Sequence, residues 1–177
     1  YVMEIPGKDA AGVRQTVNAR LTPAQTVWNL RSAYNVAALN CQKAEHGDIL
    51  AGYKKFLTAH KAGLNTANRS VDADFRKRYG ASFIRPREAY MTQVYNYYAL
   101  PPTLTNFCDA ALLVARESLS VKPAGLGAFS ARSIAAFEAM FDSFYRSYEQ
   151  YRADAAAWDA LPAAKRNDAQ LAAISHG

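Results

Sequence analysis

Ile134-Ala135-Ala136-Phe137-Glu138-Ala139-Met140-Phe141-Asp142-Ser143-Phe144-Tyr145-Arg146-Ser147-Tyr148 decides the fold class. Within it Ile134, Phe137, Phe141, Phe144 and Tyr148 fall at alternating three- and four-residue intervals, and Tyr151, Ala155 and Trp158 carry the rhythm on. An α-helix gathers that spacing into one stripe, whereas a strand would scatter it over both faces. The segment therefore predicts a long amphipathic helix with an aromatic face, ended by Pro162, and it is the expected central packing element. Such a stripe could line a haem or quinone slot. No ligating residue repeats along it, so Phe and Tyr filling the space between helices is the preferred reading.

The same period recurs upstream. Thr22-Pro23-Ala24-Gln25 puts a hydroxyl at an N-cap, Pro at the first helical position and Gln three residues past the cap. Val27, Leu30, Tyr34, Ala37 and Cys41 follow as one stripe, and the helix should stop near Gly47. A second helix starts near Asp48, with Leu50, Tyr53, Leu57, His60, Leu64, Ala67 and Val71 on its seam, a weak point at Asn65–Ser70, and Gly80 at its end. A loop around Arg85-Pro86 leads to a third, carrying Tyr90, Met91, Val94, Tyr95 and Tyr98 up to Pro101-Pro102. A fourth presents Leu104, Cys108, Leu112, Ala115 and Leu119 ahead of the loop Lys122–Gly127. With the quoted segment this predicts an all-α, roughly five-helix bundle. The expected organisation is an extended N-terminal arm over residues 1–21, a bundle over 22–161 and a tail over 162–177. In the arm Val13, Val17, Ala19 and Leu21 sit on alternate positions around Pro6-Gly7 and Gly12, as in a weak hairpin. The arm is expected to dock on a partner or on a neighbouring copy.

Half of the 177 residues are hydrophobic, ample for a core. No apolar run approaches the roughly 18 residues of a membrane span, and the first residues do not resemble a signal peptide. The chain does not open with Met, so a longer precursor is expected. The net charge of +6 is concentrated: Lys43–Arg87 holds ten basic and four acidic residues, and the remainder holds eleven of each. Such asymmetry suits an anionic partner, although a solvated helix face on a basic protein explains it as well.

Two cysteines, Cys41 and Cys108, occupy core-facing positions on different helices. With no CxxC pair and no third thiol, the choices are a disulfide or two buried thiols. Facing helices bring such positions within the roughly 6 Å that a cystine spans between Cα atoms. The disulfide is the preferred choice, and it implies an oxidising compartment. His60, between Leu57 and Leu64, reads as a core or boundary residue. Glu45, His46 and Asp48 could touch a metal, but three donors at a helix end more often cap and solvate it. No metal site or cofactor is predicted. Glu117-Ser118 followed by Gly125-Leu126-Gly127 resembles the catalytic Glu-Ser and Gly-Leu-Met-Gln segments of lytic transglycosylases. The Met-Gln half is missing, so a glycan-cleaving enzyme using Glu117 is a remote alternative, and no catalytic residue is assigned. Phe75-Arg76-Lys77-Arg78-Tyr79, with Arg69, Phe83, Arg85 and Arg87, interleaves cations with aromatics. These six basic residues could grip nucleic acid, lipopolysaccharide phosphates, acidic glycans or an acidic protein. Nucleic acid is the less favoured, since no helix-turn-helix, RRM or KH signature is present.

Thr26-Val27-Trp28-Asn29-Leu30-Arg31, Asn35-Val36-Ala37-Ala38-Leu39-Asn40-Cys41, and Tyr95-Asn96-Tyr97-Tyr98-Ala99-Leu100-Pro101-Pro102 leading into Phe107-Cys108 resemble helices of uncharacterised secreted proteins of alphaproteobacteria. The match covers the first four helices and excludes Arg69–Arg87. The resemblance implies export to the cell envelope and pairing of the two cysteines, and it implies no activity. The reading is thus a non-enzymatic cell-envelope structural or interaction protein, periplasmic or extracellular, with a protein partner or self-assembly. The alternative is a helical module that binds nucleic acid or another polyanion through residues 43–87.

Overall fold

A computed structural model of the chain describes residues 3–176, and the fold is all-α. The described residues hold seven α-helices and no strand: α1 (Pro23–Asn40), α2 (Asp48–Ala59), α3 (Lys61–Tyr79), α4 (Ile84–Tyr98), α5 (Leu104–Ser118), α6 (Leu126–Asp159) and α7 (Ala163–Ser175). Two compact units result. One is Pro6–Phe141; the other combines the described residues up to Ile5 with those from Asp142 onward.

The helix count exceeds the expected five for two local reasons. The seam read as one helix from Asp48 to Gly80 breaks at His60, not at Asn65–Ser70. His60 leaves helical geometry (φ −111°, ψ 20°), and its amide closes the last turn of α2 on the Phe56 carbonyl. Three residues on, Gly63 lets Leu126 approach so closely that a Cβ there would stand 2.7 Å from a leucine methyl. No Pro or Gly at the junction announces the break in the sequence. The second extra helix is α7, within the segment expected to be a tail. Arg85-Pro86, expected in a loop, lies in the first turn of α4, where proline's missing N–H costs nothing.

α1 is the element most enclosed by others, packing against α2, α3, α4 and α5. It begins at the expected capping box: the Gln25 amide donates to Thr22 Oγ1 at 3.1 Å, and the Thr22 amide donates back to Gln25 Oε1 at 3.0 Å. The predicted stripe is buried, and so are Asn29, Ser32, Ala33, Val36 and Ala38 on its flanks. Small residues there let neighbouring helices approach from several sides. The expectation of a central aromatic helix holds for the first half of α6 and not for its second half. On α6 burial is complete at Phe129, Phe137 and Phe141. Phe144 and Tyr148 are only partly covered, and Tyr151 is 67% exposed.

Gly52 marks the tightest approach of α2. A Cβ there would lie 2.5 Å from the Tyr34 hydroxyl and 3.5 Å from Ala115. That hydroxyl is hydrogen-bonded to Ser118 Oγ at 3.0 Å. Burial pushes the Tyr34 phenol up to about 12, against the smaller opposing effect of Ser118. Gly52→Ala must displace the phenol and break the bond. The expected cost is about 1–3 kcal/mol in urea denaturation. Adding Tyr34→Phe should recover part of it, because the two changes share one contact.

The segment before α1 is not helical. The Asp9 carboxylate accepts the amides of Ala11 at 3.0 Å and Val13 at 2.9 Å, and Lys8 and Arg14 form one isolated antiparallel bridge. The hydrogen bond from the Val13 amide holds the Asp9 carboxyl below the usual range. Gly12 supplies the left-handed residue of this turn (φ +82°). The hairpin reading thus reduces to a single bridge, too short to be a strand pair.

Candidate functional site

Cys41, the C-cap of α1, and Cys108, in the first half of α5, form a disulfide with a Cα separation of 5.5 Å. Both halves are buried. A cavity of about 60 Å³ adjoins it, lined in part by Lys43, His46, Leu104 and Thr105. That has room for a few waters rather than a metabolite. His46 is buried in the turn Ala44–His46, and its Nε2 lies 2.8 Å from Asp109 Oδ1 on α5. Donor atoms of Glu45, His46 and Asp109 lie within 4.8 Å of one another. Asp48, which the sequence groups with Glu45 and His46, instead faces Arg116 at 3.6 Å. The partner that the structure supplies, Asp109, lies 63 residues away in the chain, where no spacing rule points to it. His60 is a core residue whose ring is tilted against Phe56 at 5.1 Å between centres, and burial pulls its pKa below the usual histidine value.

A second polar cluster centres on Glu138, on α6 within the unit Pro6–Phe141. It accepts Thr16 Oγ1 at 3.0 Å, Asn18 Nδ2 at 2.7 Å and the Tyr97 hydroxyl at 2.9 Å. Asn18 also donates to Tyr98 OH at 2.7 Å, and its carbonyl oxygen accepts from Asn29 Nδ2 at 3.2 Å. Asn29 donates onward to Tyr90 OH at 2.9 Å. Burial raises the pKa of Tyr98 and of Tyr90, so both phenols stay neutral. The arrangement fastens residues 16–18 to α1, α4 and α6. Within it the Glu138 carboxylate is occupied by groups of the chain itself, while Asn29 Oδ1 is buried with no hydrogen-bond partner. The sequence offers no hint of it, because Thr16, Asn18, Asn29 and Glu138 share no spacing.

Glu117, the residue of the transglycosylase resemblance, accepts two hydrogen bonds from Arg132, at 2.8 and 3.3 Å, on the protein surface. The six predicted anion-binding residues divide. Arg87 is ion-paired with Asp72 and donates to Asn68 Oδ1 at 2.5 Å. Arg76 lies over Phe83 at 4.5 Å and Arg78 near Tyr79 at 5.8 Å, held against aromatic rings that leave their charge available. Arg69, Lys77 and Arg85 are exposed, with no carboxylate within ion-pair distance among the described residues. α3 and α4 pack together, so these cations share one region of the fold.

Exposed apolar side chains also occur on α7 and the end of α6, as they do at Leu39, Ile84 and Leu113. No residue of α7 is buried, and Leu171 and Ile174 expose 66% and 73% of their surface. On the last turns of α6 Tyr151 and Trp158 are also exposed. No helix among the described residues is long and apolar enough to cross a membrane. No family model, curated protein or solved structure matches this chain.

Proposed function

We propose that this chain is a non-enzymatic interaction protein of the cell envelope, a subunit or accessory of a larger assembly. The observation that carries this is the exposure of large apolar side chains on α7 and the end of α6, at Tyr151, Trp158, Leu171 and Ile174. Exposed large apolar side chains that meet in one patch mark surfaces that bind another protein. The disulfide supports the location, because such bonds persist in oxidising compartments. The resemblance to secreted alphaproteobacterial proteins agrees with that placement.

The test is a four-site variant of the full chain, Tyr151→Ser, Trp158→Ser, Leu171→Ser and Ile174→Ser. Chemical cross-linking of wild type in the native envelope fraction should trap a discrete higher-mass species. The variant should lose it while its melting temperature stays within a few degrees, because exposed side chains contribute little to folding. Loss of the cooperative transition with unchanged cross-linking would overturn the reading.

A second reading, polyanion binding, is favoured by the unpaired Arg69, Lys77 and Arg85. Retention on immobilised heparin should fall to lower salt in the triple Gln variant, since each phosphate or sulfate contact adds salt dependence. Unchanged retention would remove this reading.

A further inference from the structure

A groove of about 280 Å³ lies within the unit Pro6–Phe141, lined by Trp28 and Arg31 of α1, Leu57 of α2, and Lys61, Leu64 and Asn65 of α3. Its walls combine three apolar side chains, two cations and one amide, and none of its six lining residues is acidic. Arg31 is partly buried and fixed by neutral groups. Its guanidinium lies 4.8 Å from the Trp28 ring, and its Nη1 donates to the Tyr95 hydroxyl at 3.0 Å. Neither contact neutralises the charge, and Arg31 has no carboxylate partner among the described residues. A half-buried arginine usually meets a carboxylate, because removing its charge from water is costly without one. Lys61 opens α3, and Asn65 stands one turn further on, so both fall on one face of that helix.

We propose that this groove binds a small organic carboxylate with an apolar body. Arg31 takes the carboxylate through its remaining N–H donors, whose planar fork matches two carboxylate oxygens. Lys61 adds a second positive charge, and Asn65 supplies an amide donor. Trp28, Leu57 and Leu64 cover the apolar part. The size is near the lower end of ligand pockets, which suits a short alkyl chain and not a polymer. This site is independent of the apolar surface on α6 and α7, and either can fail without the other.

The chain has two tryptophans, so the full-length Trp158→Phe variant leaves Trp28 as the only indole reporter. Titrating it with octanoate should give a saturable change in Trp28 fluorescence. Octanol and octylammonium, with the same chain but without the negative charge, should bind at least about tenfold more weakly. Arg31→Gln and Lys61→Gln should each weaken octanoate binding by about tenfold. Lys61 is exposed, so its variant keeps the fold even if Arg31→Gln does not, and circular dichroism checks both. Equal affinity for octanol and octanoate would overturn the proposal. So would octanoate binding unchanged in Lys61→Gln, or displacement of octanoate by inorganic phosphate at similar concentration.

Discussion

Removing the disulfide by Cys41→Ala with Cys108→Ala is expected to destabilise the folded chain by about 4 kcal/mol. The bond closes a loop with a sequence separation of 67, and a cross-link of that span strongly restricts the unfolded chain. The loop contains α2, α3 and α4, so the constraint bears on most of the helices that surround α1. Losing two buried sulfur atoms adds a small packing cost in the same direction. Guanidinium denaturation of the oxidised wild type, the reduced wild type and the double variant measures it. The reduced wild type and the double variant should both unfold at markedly lower denaturant. Intact mass of non-reduced protein from its native source should be lighter by the two thiol hydrogens. Alkylatable thiols in that material would weaken the envelope assignment as well.

Phe137→Ala should be comparably damaging, at about 3–5 kcal/mol. Phe137 is fully buried, with ring centres 5.2 Å from Phe107 and 5.6 Å from Tyr98. Its truncation leaves a hole shared by α4, α5 and α6, and three helices cannot all close on it. Tyr98 also receives the Asn18 amide, so a shift of its ring would loosen the fastening of residues 16–18. Tyr148→Ala, on the same predicted stripe, should cost far less because Tyr148 is only partly covered. Thermal unfolding of the two variants side by side tests the contrast. Equal losses would mean that the stripe is buried throughout, as its periodicity suggests.

That contrast marks where sequence reasoning stops. The three-four spacing from Ile134 to Trp158 correctly identifies a helix, yet it says nothing about how much of that helix is covered. Burial needs a partner surface, and on α6 the last fully buried aromatic is Phe141. The opposite holds for α1. Its stripe from Val27 to Cys41 is legible, while the burial of Asn29, Ser32 and Ala38 is not, because those residues have no apolar signature. They are interior because four other helices pack around α1.

The candidate sites divide in the same way. The cysteine pairing was within reach because each cysteine follows the helical period of its own segment. The cationic segment was legible as composition, but its internal ion pair, Arg87 with Asp72, depends on how α3 meets α4. His46 with Asp109, Glu138 with Asn18, and Arg31 with Lys61 across the groove join residues from distant parts of the chain.

By itself, then, the sequence determined the all-α class, the capping box of α1, the proline stops and the candidate disulfide, because each depends on residues within a turn or two, or on one helical period. Only the tertiary structure decided that α1 is the most enclosed helix, that α3 starts at Lys61, and which polar groups face one another. The physical reason is that packing density and hydrogen-bond partnership depend on how distant segments are arranged in space. The same local pattern of apolar residues is compatible with a buried seam and with a surface left for a partner.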